Sequence, residues 1–305
     1  MREKDFIEII KTTLNSDFIG DDCAYLKDLG IVITQDSLVE EVHFSRKFSS
    51  PYQLGFKAVA VNISDVCASG AEPKYLTIAL SLPNDIDGEF IREFYKGAKY
   101  ASNGAKIVGG DITGADKIFI SVTAIGSDKD RKISSRSNAK IGQKIVISGE
   151  HGSSAAGLNI LQGNSYNFTE QEKKEFINSH LMPQAQIEFS KKISTNQKSD
   201  YAMMDTSDGL ADALSAIAYG SGVMAEIDFE KIPYRKSLEK CAGYENLVLY
   251  GGEDYGLVAT VDDLQNLTVI GEIKAGCGVK VNFKDRSVIL TKKVIENNLY
   301  NHFKE

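Results

Sequence analysis

Six times in this chain an apolar stretch runs straight into one or more carboxylates with a small residue beside them. The stretches are IGDD at 19–22, ITQD at 33–36, VNISD at 61–65, IVGGD at 107–111, MMDTSD at 203–208 and YGGED at 250–254. In α/β proteins the ends of strands are where ligands bind. Carboxylates gathered there repel one another and lose hydration unless cations neutralise them. Oxygen ligands of this kind select magnesium or calcium, and magnesium also keeps waters and substrate phosphates in its shell. The pattern therefore points to a nucleotide–metal site.

The segments between these acids alternate in type. Residues 31–34, 75–82, 105–108 and 118–125 read as strands, and residues 52–69 and 88–102 carry helical periodicity. A second cycle opens near Gly142. Strands are expected at 144–148, 201–204, 223–227, 257–261, 269–273 and 288–290, and helices at 153–161 and 210–219. The expected fold class is α/β (α+β) in two domains, 1–138 and 139–305, a comfortable division for a chain of 305 residues.

A net charge of −7 leaves no basic stripe to replace phosphate counterions, which argues against bulk nucleic-acid binding. Nucleotides stay open, because acidic residues recruit the cations that hold phosphates. The four cysteines, Cys23, Cys67, Cys241 and Cys277, form no C-x-x-C pair, which suggests a reducing compartment. The N-terminus lacks the apolar core of a signal peptide, and no apolar run approaches membrane-spanning length. The expectation is a cytoplasmic protein, with no membrane and no nucleic acid as partner.

Taken singly, Asp22, Asp36 and Asp208 also fit helix N-caps or turn formers. Asp65 is harder to explain that way. It interrupts the apolar helical run AVAVNISDVCA, with Asn62 one turn earlier on the same face, and an acid there needs a specific partner. Gly109 and Gly110 before Asp111 let backbone approach a bulky ligand. The chain contains no G-x-x-x-x-G-K-[ST], G-x-G-x-x-G, G-x-S-x-G or H-E-x-x-H, which disfavours the enzymes those motifs serve.

In this order, GDDCAYL (20–26), QDSLVEEVHF (35–44), KAVAVNISDVCASGAEP (57–73), IVGGDIT (107–113), TSDGLADAL (206–214) and GGEDYGL (251–257) resemble the thiamine-monophosphate kinases. YNHF at 300–303 is similar to that family's C-terminal end. The family belongs to a superfamily of ATP-using enzymes that includes aminoimidazole ribonucleotide synthetase and selenophosphate synthetase. The resemblance implies metal contacts at Asp22, Thr34, Gln35, Asp36, Asp65, Asp111, Asp205 and Asp208, with Asp65, Asp111, Asp205 and Asp208 also catalytic. It implies ATP contacts from Gly110, Asp111, Arg136 and Ser207, and thiamine phosphate contacts from His43, Glu253 and Tyr300. Read without it, Arg136 also fits a surface cation, His43 a core histidine and Tyr300 a residue packing the C-terminal segment.

The resemblance further implies magnesium, ATP as co-substrate, and a homodimer in which the N-terminal sheets of two subunits pair near the nucleotide. Potassium is left open. Gln35 stands where the family generally has Thr, Ile112 replaces Thr after GGD, and Glu41 replaces Gly before His43. None of these changes removes a carboxylate. The implied reaction is in-line transfer from ATP to the phosphate of thiamine monophosphate. Two other readings stay open: another ATP-using enzyme of the superfamily, or a nucleotide-binding regulator without catalysis.

Overall fold

The computed structural model describes residues 3–262 and 266–300. The first part runs α1 (Glu3–Leu14), β1 (Ala24–Leu26), β2 (Ile31–Val39), α2 (Pro51–Ala68), β3 (Glu72–Leu82), α3 (Gly88–Ala101), β4 (Lys106–Gly114) and β5 (Phe119–Ser127). The second part opens with β6 (Lys144–Ile147), α4 (Ser153–Leu161), α5 (Glu170–Leu181), α6 (Ile187–Asn196) and β7 (Met203–Asp205). It continues through α7 (Leu210–Ser221), β8 (Met224–Asp228), α8 (Tyr244–Tyr250), β9 (Leu257–Val261), β10 (Thr268–Lys274), β11 (Gly278–Asn282), β12 (Ser287–Leu290) and α9 (Lys292–Asn298).

Each part is built on a mixed sheet. The first has the order β1-β2-β5-β3-β4 and the second β12-β11-β8-β10-β6-β9-β7. In the first sheet only β3 and β4 run parallel. Strand β3 shows why one of its faces is covered and the other open. Leu76, Ile78 and Leu80 are buried toward the helices, whereas Tyr75, Thr77, Ala79 and Ser81 alternate onto the opposite face.

Helix α2 is the centre of the molecule. Ser50 and Gln53 close its N-terminus as a reciprocal capping box, and Pro51 occupies the first turn, where its missing N–H costs nothing. From Leu54 to Ala68 every residue except Asp65 is buried. A helix apolar on all sides belongs inside a fold, and α2 lies between its own sheet, α3 and the second part of the chain. Its core is completed by Val146, Ile193, Tyr201, Met203, Leu257, Ala259 and Val261. Ser190 donates to the Cys67 carbonyl at 2.7 Å, and Ser134 donates to the Ala68 carbonyl at 2.7 Å.

Several boundaries differ from the sequence expectation. Strands β2 and β4 run on to Val39 and Gly114. In β4 the paired glycines continue the strand, and a Cβ at Gly110 would lie 1.8 Å from the Ile78 carbonyl oxygen of β3. Gly110 thus answers a close approach between strands, while Gly109 has open space beside it. Helices α1, α5, α6, α8 and α9 and strands β1 and β11 were not among the expected elements.

The α2–α3 crossing depends on two glycines. A Cβ on Gly55 would come 1.9 Å from the Phe94 carbonyl oxygen, and one on Gly97 would come 1.9 Å from that of Tyr52. Glycine to alanine ordinarily favours a helix interior by up to about 1 kcal/mol. Here Gly97→Ala should instead destabilise the protein by about 2 kcal/mol or more through overpacking. Urea denaturation checks this, and an unchanged or raised midpoint would contradict the close crossing.

Candidate active site

The polar side chains of α2 assemble the site. Asp65 accepts a hydrogen bond from Thr34 Oγ1 of β2 at 2.8 Å. Asn62 accepts the backbone N–H of Asp36 at 2.9 Å and donates to the Ala58 carbonyl at 2.9 Å. Ser64 donates to Asp205 Oδ2 at 2.7 Å, tying α2 to the last residue of β7. Lys57 Nζ lies 2.9 Å from Glu253 Oε1. A helix this buried leaves Lys57, Asn62 and Ser64 no access to water and Asp65 little, so each is matched by another element.

Asp22, from the segment before β1, joins Asp65 and Asp205. Each of the three offers a carboxylate oxygen, and these oxygens lie within 4.8 Å of one another. Arg136 braces Asp22 with Nη2 at 2.7 Å, donates its backbone N–H to Asp21 at 2.7 Å, and reaches the Gly20 carbonyl with Nη1 at 3.3 Å. Its Nε is buried and has no hydrogen-bond partner among the described residues. A guanidinium with a spare buried donor suits an anionic ligand.

Burial, and then the neighbouring charges of Asp36, Asp205 and Asp22, push the Asp65 carboxyl well above its ordinary range. Burial also raises Asp205, although hydrogen bonds from Ser64 and Ser207 oppose it. For Asp22, burial outweighs the opposing Arg136 charge and lifts it to about 6. Ionising all three together is disfavoured, and a cation between them would relieve the repulsion. The oxygen-only donor set fits a hard divalent ion, with magnesium or calcium first.

Other expected residues fall into two further groups. On β2, Thr34 and Asp36 face α2, while the pleat turns the intervening Gln35 to the opposite side, where Thr123 donates to its side chain at 3.1 Å. There Gln35 lines a groove of about 560 Å³ together with Thr77, Ser121, Gly110 and Asp111. Asp111 is exposed on the edge strand β4, outside the group of three. The side chains of Gln35 and Asp111 therefore share the open sheet face, not the buried cluster.

The third group gathers around Glu253. His43 follows β2, and its Nδ1 accepts the Val39 N–H at 3.0 Å, which leaves the proton of a neutral ring on Nε2. Glu253 sits between α8 and β9 at φ 63°, and its N–H donates to the Ser207 carbonyl at 2.6 Å. Burial raises its carboxyl, but Lys57 and then His180 bring it below its usual value. Ser207 and the exposed Asp208 form the turn between β7 and α7. Tyr300 is exposed beyond α9, and the rest of the YNHF motif lies outside the described residues.

Sequence reasoning missed Lys57, Ser64 and His180. Lys57 had a signal, since a lone cation in an apolar helix raises the same question as Asp65. Asp254, flagged only as part of a motif, caps α4 by accepting the Gly152 and Ser154 N–H groups at 2.6 and 2.8 Å. Burial nevertheless pushes its carboxyl up to about 7.

A family model for the AIR synthase related protein N-terminal domain matches residues 20–127, and one for the C-terminal domain matches residues 140–284. Thiamine-monophosphate kinase from Aquifex aeolicus is 38% identical over 299 residues, covering 91% of this chain and 93% of that protein. The Bacillus subtilis enzyme of the same name is 34% identical, with 94% and 93% covered. The solved structure of AaThiL complexed with AMPPCP and TMP has a TM-score of 0.86 and 34% sequence identity, covering 99% of this chain and 97% of that one. With both halves matched and its relatives aligned almost end to end, the chain belongs to the thiamine-monophosphate kinases, within the AIR synthase related proteins.

Proposed function

We propose that this protein moves the terminal phosphate of ATP onto the phosphate of thiamine monophosphate, giving thiamine diphosphate and ADP. The observation that carries this reading is the convergence of Asp22, Asp65 and Asp205 within 4.8 Å. Asp22, Asp65 and Asp205 would hold magnesium, with Thr34, Asp36 and Asp208 at its margin. A magnesium ion bound there would screen the two polyanionic substrates and help align them. Potassium is a secondary candidate for the same oxygen-rich margin.

The nucleophile is a phosphate oxygen with a second pKa of about 6, so it is largely anionic at neutral pH. The site then needs no strong general base, in keeping with a reaction centre built of acids. Arg136 and Ser207 would bind the nucleotide phosphates, the Arg136 Nε being the spare donor. His43, Glu253 and Tyr300 would meet the thiamine end. The division of labour follows the two halves: residues 1–138 supply most metal and ATP contacts, and residues 139–305 add Asp205, Ser207, Asp208, Glu253 and Tyr300. Free cysteines, three of them buried, suit a cytoplasmic setting, and among the described residues no helix is long and apolar enough to cross a membrane.

Gly110, Asp111 and Gln35 complete the site only if something closes the open sheet face. A second copy of the chain is the reading we favour. Among the described residues strand β4 pairs on one side alone, and on the open face Tyr75 and Phe119 are 45% and 38% exposed. An unpaired edge beside exposed large apolar residues is a natural pairing surface.

Mixing the protein with ATP, magnesium and thiamine monophosphate should release ADP and thiamine diphosphate in equal amounts. ATP binding without turnover would overturn the kinase reading and favour a regulator. Sedimentation should show a dimer that Phe119→Glu, on the open face, converts to monomer, with at least tenfold weaker ATP binding. A fully active wild-type monomer would refute the closed-face arrangement.

A further inference from the structure

We infer that Lys57 and His180 are positioning residues of the acceptor pocket: from opposite halves of the chain they hold the Glu253 carboxylate in place to meet the thiamine end of the substrate. The inference rests on the function proposed above and assigns work to two residues outside the acid cluster.

The geometry is that of a supported acceptor. Lys57 Nζ holds Oε1 of Glu253 at 2.9 Å, and His180 Nδ1 approaches Oε2 at 3.2 Å. The supports are sealed, with side-chain exposures of 4% for Lys57 and 7% for His180, whereas Glu253 keeps 26%. The carboxylate is thus the member of the trio that a ligand can reach. Ser154 Oγ lies 3.1 Å from His180 Nδ1 and steadies the ring from the start of α4.

The backbone is constrained as well. Glu253 adopts φ 63° and Tyr255 φ 49°, left-handed conformations that cost non-glycine residues on the order of 1–3 kcal/mol each. Such a loop keeps its shape only where its surroundings over-determine it. Here the Glu253 N–H is bonded to Ser207, and its side chain is gripped from two sides.

Position along α2 links this trio to the reaction centre. Lys57 and Ser64 are seven residues apart and so share a helix face, about 10 Å from one another along the axis. Ser64 touches Asp205 of the acid cluster. A ligand with a phosphate at that cluster and two rings extending away would bring its far end to Glu253. Thiamine carries a fixed positive charge and an aminopyrimidine N–H donor, and an ionised carboxylate answers both. Burial, then Lys57, bring His180 down to about 4, so the ring is neutral, and in the tautomer with its proton on Nδ1 that proton lies between Ser154 Oγ and Glu253 Oε2. The Lys57 ammonium keeps Glu253 ionised despite its burial.

Steady-state kinetics of Lys57→Met, Glu253→Gln and the double variant test this. Each single change should raise KM for thiamine monophosphate at least tenfold and leave KM for ATP within twofold. The double variant should be no worse than Glu253→Gln, since Lys57 acts through Glu253. If Lys57→Met fails to fold, the His180 pair carries the test: His180→Leu should raise that KM, and His180→Asn, whose amide replaces the Nδ1–H donor, should restore it to within threefold. A lowered Tm with unchanged KM, or Lys57 and Glu253 effects that multiply, would overturn the inference. A wild-type protein that does not phosphorylate thiamine monophosphate would overturn the underlying function instead.

Discussion

Helix α2 is buried along almost its entire length and yet carries Lys57, Asn62, Ser64 and Asp65. An unpaired polar group in such a place costs roughly 1–3 kcal/mol, and an unpaired charge considerably more. Each of these four therefore dictates the position of another element. Asn62 sets the backbone of β2 at Asp36, and Asp65 takes the Thr34 hydroxyl from the same strand. Ser64 draws in the end of β7, and Lys57 draws in the loop before β9. The two sheets are registered against each other by the polar demands of one apolar helix.

Asp65 differs from the other three because its partner does not quench its charge. A hydroxyl at 2.8 Å satisfies one lone pair, while Asp22, Asp36 and Asp205 add repulsion. The fold keeps this conflict rather than relieving it with a lysine. Arg136 neutralises Asp22 from the outer side only. Such a cluster suits a cation, and a reaction whose nucleophile is already an anion would gain more from one there than from a histidine base.

How much of this was legible in the sequence follows from which forces act locally. The extent of α2 could be read from its periodicity, and Asp65 from being an acid among apolar neighbours. Lys57 offered an equal signal and went unread, because lysines commonly bury their stems and send the charge to water. Gln35 and Asp36 look equivalent as neighbours, but the strand pleat sends their side chains to opposite faces. Asp111 resembles the other acids in its motif, and only the sheet order shows that it lies on the open edge. Helices α5 and α6, polar at most of their exposed positions, are held by tertiary contacts such as Phe176 and Ile193 that no local window contains.

The central claim is that α2 holds the three acids in a repulsive arrangement that a divalent cation resolves. Melting of the metal-stripped protein near pH 7.5, with and without magnesium, measures this directly when wild type is compared with Asp65→Asn. Asparagine mimics the uncharged acid that burial already favours there, so Asp65→Asn should leave the metal-free Tm unchanged or raise it, and should abolish most of the rise that magnesium produces in wild type. An Asp65→Asn protein that melts lower without metal yet gains as much from magnesium as wild type would contradict it.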